Sequence, residues 1–166
     1  MKIAVLCANV NSVYKSFPDL EVYDKNRNAY TFPGGSPIIA HPPCQQWSRL
    51  KHFAKGDQAE KDLAFFCLEM VNKYGGILEH PIGSHFFKAA GITKTYSINQ
   101  SWFGFPAKKT TLLYFSQCAP AAHPLNFNAI EKRVQDLHSS KRSDTTIQFA
   151  EWLIKSVSSR SIHNES

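Results

Sequence analysis

Cys44 follows two prolines and precedes two glutamines in the run Ala40-His41-Pro42-Pro43-Cys44-Gln45-Gln46-Trp47-Ser48. A cysteine attacks as its thiolate, and the free thiol pKa of about 8.5 falls when positive charge or a helix amino end lies close. His41, Arg49 and Lys51 are near in sequence, and the loop that leaves a parallel strand normally runs into a helix start, so both aids are within reach. Cys7 and Cys67, set among apolar neighbours, read instead as small buried hydrophobes. Cys44 is the candidate nucleophile. Glu79 is its candidate partner: it follows Ile77-Leu78 at the edge of a core, where desolvation is expected to raise its pKa and make it a proton donor. The alternative for Glu79 is a strand-end carboxylate that caps a helix or pairs with a cation.

Positioning these groups requires a sheet. Ile3-Ala4-Val5-Leu6-Cys7 has the length of a buried strand, and Leu20 to Tyr23 supplies a second that ends at Asp24. After the Pro33-Gly34-Gly35 turn, Pro37-Ile38-Ile39-Ala40 reads as a strand stopped by Pro42-Pro43, since two prolines remove ladder donors and hold the chain extended. Asp57-Gln58-Ala59-Glu60 is a capping-box-like start. Leu63, Phe66, Cys67, Met70, Val71 and Tyr74 follow at helical spacing, and Gly75-Gly76 ends the helix. Ile77-Leu78 then makes a short strand ending at Glu79-His80-Pro81.

Strand, helix, strand implies a parallel crossover, which puts Cys44 and Glu79 at the same sheet edge, where open α/β sheets hold ligands. Further on, Ser84 caps a short helix through Ala90 that Gly91 ends, and Thr110 to Phe115 is a β-rich run. A last helix in the stretch from Asp144 carries Ile147, Ala150, Leu153, Ile154 and Val157 on one face. Residues 116 to 142 read as irregular, and the stretch from Ser158 as a polar, frayed tail.

The 166 residues, 43% of them apolar, suit one domain over residues 1 to 157. No apolar run approaches the roughly 18 to 20 residues that cross a bilayer, and cysteines without a C-x-x-C pair fit a reducing cytoplasm. A net charge of +6 suits a polyanionic partner, and its distribution says more. No carboxylate stands between Asp24 and Asp57, while Lys25, Arg27, Arg49, Lys51 and Lys55 do; none stands from His80 to Ile130, where Lys88, Lys94, Lys108 and Lys109 fall. These stretches are either a solvated basic surface or a phosphate-binding face.

Pro42-Pro43-Cys44-Gln45-Gln46-Trp47-Ser48 resembles the nucleophile loop of cytosine-C5 DNA methyltransferases, whose pattern is Pro-Cys-Gln followed by an aromatic and Ser. Leu78-Glu79-His80-Pro81 falls where that family has Glu-Asn-Val, and the run from Phe103-Gly104-Phe105-Pro106-Ala107-Lys108-Lys109 to Phe115 parallels its Phe-Gly-x-Pro-Gln-x-Arg-x-Arg segment and following strand. Lys109 takes the first arginine position and Thr111 the second. Thr145-Thr146-Ile147-Gln148-Phe149-Ala150-Glu151-Trp152-Leu153 echoes the family's last block, which packs near the cofactor. Short proteins with this arrangement are also similar to ones encoded by bacteriophages.

The resemblance implies a truncated, three-layer, Rossmann-like methyltransferase fold of α/β class with a mostly parallel sheet. It implies that Cys44 adds to C6 of a flipped cytosine and that Glu79 holds and protonates N3, with Lys109 in the catalytic set, before C5 takes a methyl group. Pro43, Gln45, Trp47, Ser48, Arg49, His80, Trp102 and Lys108 would surround the substrate. S-adenosylmethionine would lie against Cys7, Ala8, Asn9, Asp24 and Thr146. The partner is DNA or a pyrimidine nucleotide, with a homodimer or a recognition subunit as further possibilities.

Two parts of the family pattern are missing. Its cofactor loop is rich in glycine because only glycine lets the backbone approach the ligand, whereas the first glycine here is Gly34. About 30 irregular residues stand where the family inserts its target-recognition region, counting the connection lengths typical of a compact domain as far shorter. Three alternatives remain open. One is an enzyme of free pyrimidine nucleotides, since Pro-Pro-Cys also marks thymidylate synthase-like nucleophiles. Another is a degenerate fold that binds nucleic acid or nucleotide as a phage counter-defence factor. The last is a metal site of His41, Cys44 and His80, against which Trp47 stands where a zinc deaminase has its second cysteine.

Overall fold

The computed structural model describes residues 2–47, 58–123 and 132–159. Six strands form one sheet in the order β2-β1-β3-β4-β6-β5. They are β1 (Ile3–Leu6), β2 (Leu20–Val22), β3 (Ile38–Ala40), β4 (Gly76–Pro81), β5 (Tyr96–Asn99) and β6 (Thr110–Ser116). The first four are parallel, and β6 runs antiparallel to both β4 and β5. The class is α/β with a mostly parallel sheet, as expected, and α1 (Gln58–Tyr74) is the crossover between β3 and β4.

Strand alternation divides the core into two layers. Ile3, Val5, Ile39, Ile77 and Leu113 face α3 (Ile147–Ser158), whose Phe149, Ala150, Trp152, Leu153 and Val157 are buried against them. Ala4, Leu6, Ile38, Ala40 and Leu78 face α1 and the short α2 (Phe86–Ala89), where Ala64, Cys67, Leu68, Val71, Phe86 and Phe87 complete the second layer. Truncating Leu153 to alanine removes a fully buried side chain, a change that costs about 3 kcal/mol. Among the described residues no helix is long and apolar enough to cross a membrane.

Several details depart from the sequence reading. The strand after α1 ends at Pro81, within the Glu79-His80-Pro81 end expected, but begins one residue earlier, at Gly76, and β6 pairs with it over its whole length. The edge strand β5 was not foreseen, since Tyr96-Ser97-Ile98-Asn99 lacks a long apolar run and gains its order from pairing with β6. Thr146, two residues into the stretch from Asp144, caps α3, its hydroxyl accepting from the Phe149 N–H. Ile147 is 45% exposed and so leaves the apolar face, as a first-turn residue lying beyond the sheet. The region read as irregular contains short 3-10 turns at Val134–Asp136 and Ser139–Lys141. Asp57, and the tail beyond residue 159, lie outside the described residues.

The chain runs from β1 outward to β2 and then crosses back to β3 on the other side of β1. The carboxyl ends of β1 and β3 therefore flank the switch point, where sheets of this kind open a crevice.

Candidate active site

Four connections converge on that crevice. Beyond β1 the backbone turns at Cys7 with φ 60° and enters a 3-10 turn, Val13–Ser16, whose Tyr14 is buried. Beyond β3, His41 opens the segment that leads through Pro42 and Pro43 to Cys44, followed by a 3-10 turn at Gln45–Trp47. Glu79 comes from inside β4, and Lys109 and Thr111 from the start of β6, which pairs beside it.

Glu79 is only 14% exposed and is held at both oxygens. Its Oε2 lies 3.2 Å from His41 Nδ1, and its Oε1 takes a hydrogen bond from the Thr111 hydroxyl. That hydroxyl is also 3.0 Å from the His80 carbonyl, and its single proton serves one acceptor at a time. On the other side of the imidazole, His41 Nε2 is 2.9 Å from the Tyr14 hydroxyl. Lys109 Nζ donates to the Asp144 carbonyl at 3.1 Å and sits 4.7 Å from the centre of the Phe105 ring.

The electrostatics reverse two expectations. Burial does push Glu79 up, but the His41 hydrogen bond and charge, with Lys109 and Thr111, outweigh it and hold the carboxyl at about 2. Glu79 rests as a carboxylate, not as a proton donor. For Cys44, burial and the Glu79 carboxylate raise the thiol above its usual range, against smaller lowering by its own backbone N–H and by Lys109. Sequence proximity to His41 thus does not give an activated thiolate at rest, because the same imidazole is committed to Glu79. Burial lowers Lys109, which Glu79, Asp144 and Cys44 oppose. Glu79 and Lys109 perturb each other and both perturb Cys44, which in turn acts on Lys109, so the catalytic set expected from sequence is electrostatically linked.

The expected substrate contacts scatter. Pro43 and Cys44 are half-buried and Gln45 is exposed at the mouth, but Trp47 packs edge-on against Phe65 and Phe86 at ring distances of 5.7 and 5.2 Å. His80 follows Glu79 along β4 and so faces the opposite layer, where it is fully buried, stacked on Phe86 and bonded through Nδ1 to Ser84 at 2.8 Å. Burial lowers it to about 4. His80 therefore belongs to the core and not to the substrate face. Trp102 packs against His123 beside β5, and Lys108 is exposed, its N–H bonded to the Lys132 carbonyl. Ser48 and Arg49 lie outside the described residues, as does Lys51. Among the described residues no three His, Cys, Asp or Glu side chains group to hold a metal ion, and His80 faces away from His41 and Cys44.

Sequence reasoning missed His41 as a partner of Glu79, and missed Tyr14 and Thr111 altogether. The signal for Thr111 was its place at the second arginine position of the resembled block. For Tyr14 no local signal existed, since the turn after β1 meets β3 only through the sheet order.

The positions expected to hold S-adenosylmethionine do not fit that group. Asp24 is buried and engaged at both oxygens: Oδ2 binds Lys15 Nζ at 2.6 Å, and Oδ1 accepts the N–H groups of Asn26 and Arg27. These contacts hold it at about 2 and occupy three of the roughly four acceptor sites of a carboxylate, so it is already committed within its own turn. Cys7 takes the left-handed turn with a side chain whose Sγ lies 3.6 Å from Cys67 Sγ, where a glycine would leave the backbone bare. Ala8 is buried, Asn9 turns back to accept from Asn11, and the Thr146 hydroxyl is spent between the Phe103 carbonyl and the Phe149 N–H. Tyr14, bonded to His41, spans the switch-point crevice itself. Compared with known proteins, the chain matches no protein-family model and no curated sequence.

Proposed function

We propose that this chain is a pyrimidine-modifying enzyme of the cytosine-C5 type, in which Cys44 adds to ring C6, Glu79 holds N3, and C5 becomes a carbon nucleophile able to take a one-carbon group. The observation that carries the reading is the gathering of Cys44, Glu79 and Lys109 near adjoining strand ends, where Glu79 and Lys109 shift each other's proton affinity and both shift that of Cys44. A nucleophile beside a carboxylate aimed at a ring nitrogen, with a buried cation to offset charge, is what conjugate addition to a pyrimidine needs.

The Cys44 proton leaves to solvent as substrate enters. Sγ then gives its electron pair to C6, the ring π electrons move through C4 to N3, and N3 takes a proton from the Glu79 side. Lys109 stabilises the anionic pair Cys44 and Glu79 before attack, which also explains why a lysine is tolerated half-buried there. The ring activation is the part of the reaction that these residues supply. The mostly parallel α/β sheet, compatible with a Rossmann-like fold, supports the reading through its switch point beside β1 and β3. The exposed Lys25, Arg27, Lys88 and Lys108 favour a substrate bearing phosphate, nucleotide or DNA.

A second reading has its own support. The raised Cys44 thiol and the committed Asp24 suit a chain that binds nucleotide or nucleic acid without turning it over.

Hydrogen exchange at C5 separates the two without any methyl donor. The protein is incubated in D2O with dCMP or with a single-stranded cytosine oligonucleotide, and the C5 proton is followed by NMR. The enzyme reading expects exchange that Cys44→Ala abolishes, and the substrate that exchanges is the class it serves. Binding of either ligand with no exchange above the Cys44→Ala background selects the binder.

A further inference from the structure

The resembled methyltransferase pattern gives Glu79 a role but places no histidine beside it. Here His41 stands at the end of β3, one parallel strand away, and touches Glu79 with one nitrogen and Tyr14 with the other. A cytosine ring presents N3 as a lone pair. An ionised carboxylate facing that lone pair repels it, so a proton has to stand between them. Glu79 does not carry one at rest.

We propose that His41 is the positioning residue that orients Glu79 and lends it the proton that cytosine N3 takes during the addition. This rests on the reading of Glu79 as the N3 partner. In the charged form of the imidazole, Nδ1–H donates to Glu79 Oε2 and Nε2–H donates to the Tyr14 oxygen. As Sγ bonds to C6 and the ring electrons reach N3, the Nδ1 proton passes to Glu79 and the Glu79 side protonates N3, leaving His41 neutral. C5 then takes a deuteron from D2O, gives up its original proton to water, and the thiolate departs as the N3 proton returns to the Glu79 and His41 pair. Nothing is oxidised or reduced. Tyr14 is suited to its end of the chain because burial and the Glu79 charge keep its hydroxyl protonated, so it accepts Nε2–H from charged His41 and from the neutral His41 left when the Nδ1 proton has passed on, and donates to Nε2 when neutral His41 carries Nδ1–H in the free enzyme.

The groups facing His41 are Glu79 from β4 and Tyr14 from the turn after β1, with Lys109 beyond Glu79 and His80 on the opposite face of β4. Thr111 holds the other Glu79 oxygen and cannot replace His41, since a hydroxyl proton at that site is not acidic enough to be given away.

The test compares C5 exchange by wild type, His41→Asn, His41→Ala and Tyr14→Phe over a range of pH. Asparagine still donates an N–H toward Glu79 but carries no labile proton, so His41→Asn is expected to lower kcat by about tenfold or more with KM little changed, and to lose the alkaline limb of the profile. Tyr14→Phe shifts that limb. Nitrogen-15 labelled histidine gives a readout independent of turnover: neutral His41 in the free enzyme is expected as the Nδ1–H tautomer, held so by the Glu79 carboxylate. Exchange that His41→Asn leaves unaltered in kcat and pH profile, or a neutral Nε2–H tautomer, overturns the inference while leaving the role of Cys44 intact. Wild type that exchanges no better than Cys44→Ala overturns the functional reading and this inference with it.

Discussion

The Glu79 carboxylate lies against His41 across two adjacent parallel strands, with 3.2 Å between Oε2 and Nδ1. The pair joins residues 38 positions apart, and the crossover helix α1 between them is what makes the strands neighbours. A carboxyl held at about 2 in the fold and near its ordinary 4.5 in the open chain adds stability that is present above the higher value and is lost as pH falls through the lower.

Acid unfolding should therefore report this contact. Wild type is expected to lose stability as pH falls from about 4.5 toward 2, and Glu79→Gln to be flatter over that window. His80 adds a separate window. Held at about 4 against an ordinary 6.5, it contributes stability above 6.5 that is lost between the two values, and His80→Phe removes that limb alone. Urea midpoints against pH for the three proteins check both; coincident curves sink the assignments.

Cys44 should be a slow thiol. With burial and Glu79 raising it, carbamidomethylation at neutral pH is expected to lag a free cysteine and to accelerate as pH rises. Glu79→Gln removes the second cause and is expected to speed labelling severalfold, while Lys109→Met slows it. Intact mass with peptide mapping follows Cys44 separately from Cys7, Cys67 and Cys118. Faster labelling of Lys109→Met contradicts the electrostatic link.

Calorimetry with S-adenosylmethionine and its demethylated product is expected to show no binding heat. The reason is local: Asp24 is taken by Lys15, Asn26 and Arg27. Saturable binding that Asp24→Asn weakens would show that these contacts open for the cofactor.

Gly76 should not tolerate alanine. Its φ is 133°, and an added Cβ would stand 1.9 Å from the Ile38 carbonyl oxygen, backbone that cannot move without breaking the β3–β4 ladder. We expect a loss of roughly 2 kcal/mol or more, from strain and displaced pairing. Gly35→Ala, at φ 83° with open space around it, pays only the dihedral cost and serves as the control.

What the sequence showed and what it hid divide along a physical line. Helix α1 was legible because apolar spacing and a glycine stop are local, and the crossover rule then placed Cys44 and Glu79 at one edge. Gly75-Gly76 was read as a helix stop only. Gly76 is also the first residue of β4, packed too close to β3 for a side chain, which no window of sequence reveals. The proton affinities of Cys44 and Glu79 were misjudged for a similar reason: burial was visible in the flanking residues, but the imidazole, hydroxyl and ammonium that act on Glu79 arrive from two other strands, the end of β3 and the start of β6. His80 was misassigned because it was read with the substrate loop at the strand's end, although strand alternation sends it to the layer opposite Glu79.

That alternation has a consequence for folding. In β4 an ionised side chain and a neutral, fully buried one stand next to each other, facing opposite layers. A slip of one residue against β3 or β6 would exchange them, driving the Glu79 charge into the phenylalanines of α2 and turning His80 out of its stack. The wrong pairing is thereby penalised by the same charge that the chemistry requires. The carboxylate acts as an alignment mark for the strand, so a variant that neutralises it tests assembly as well as turnover.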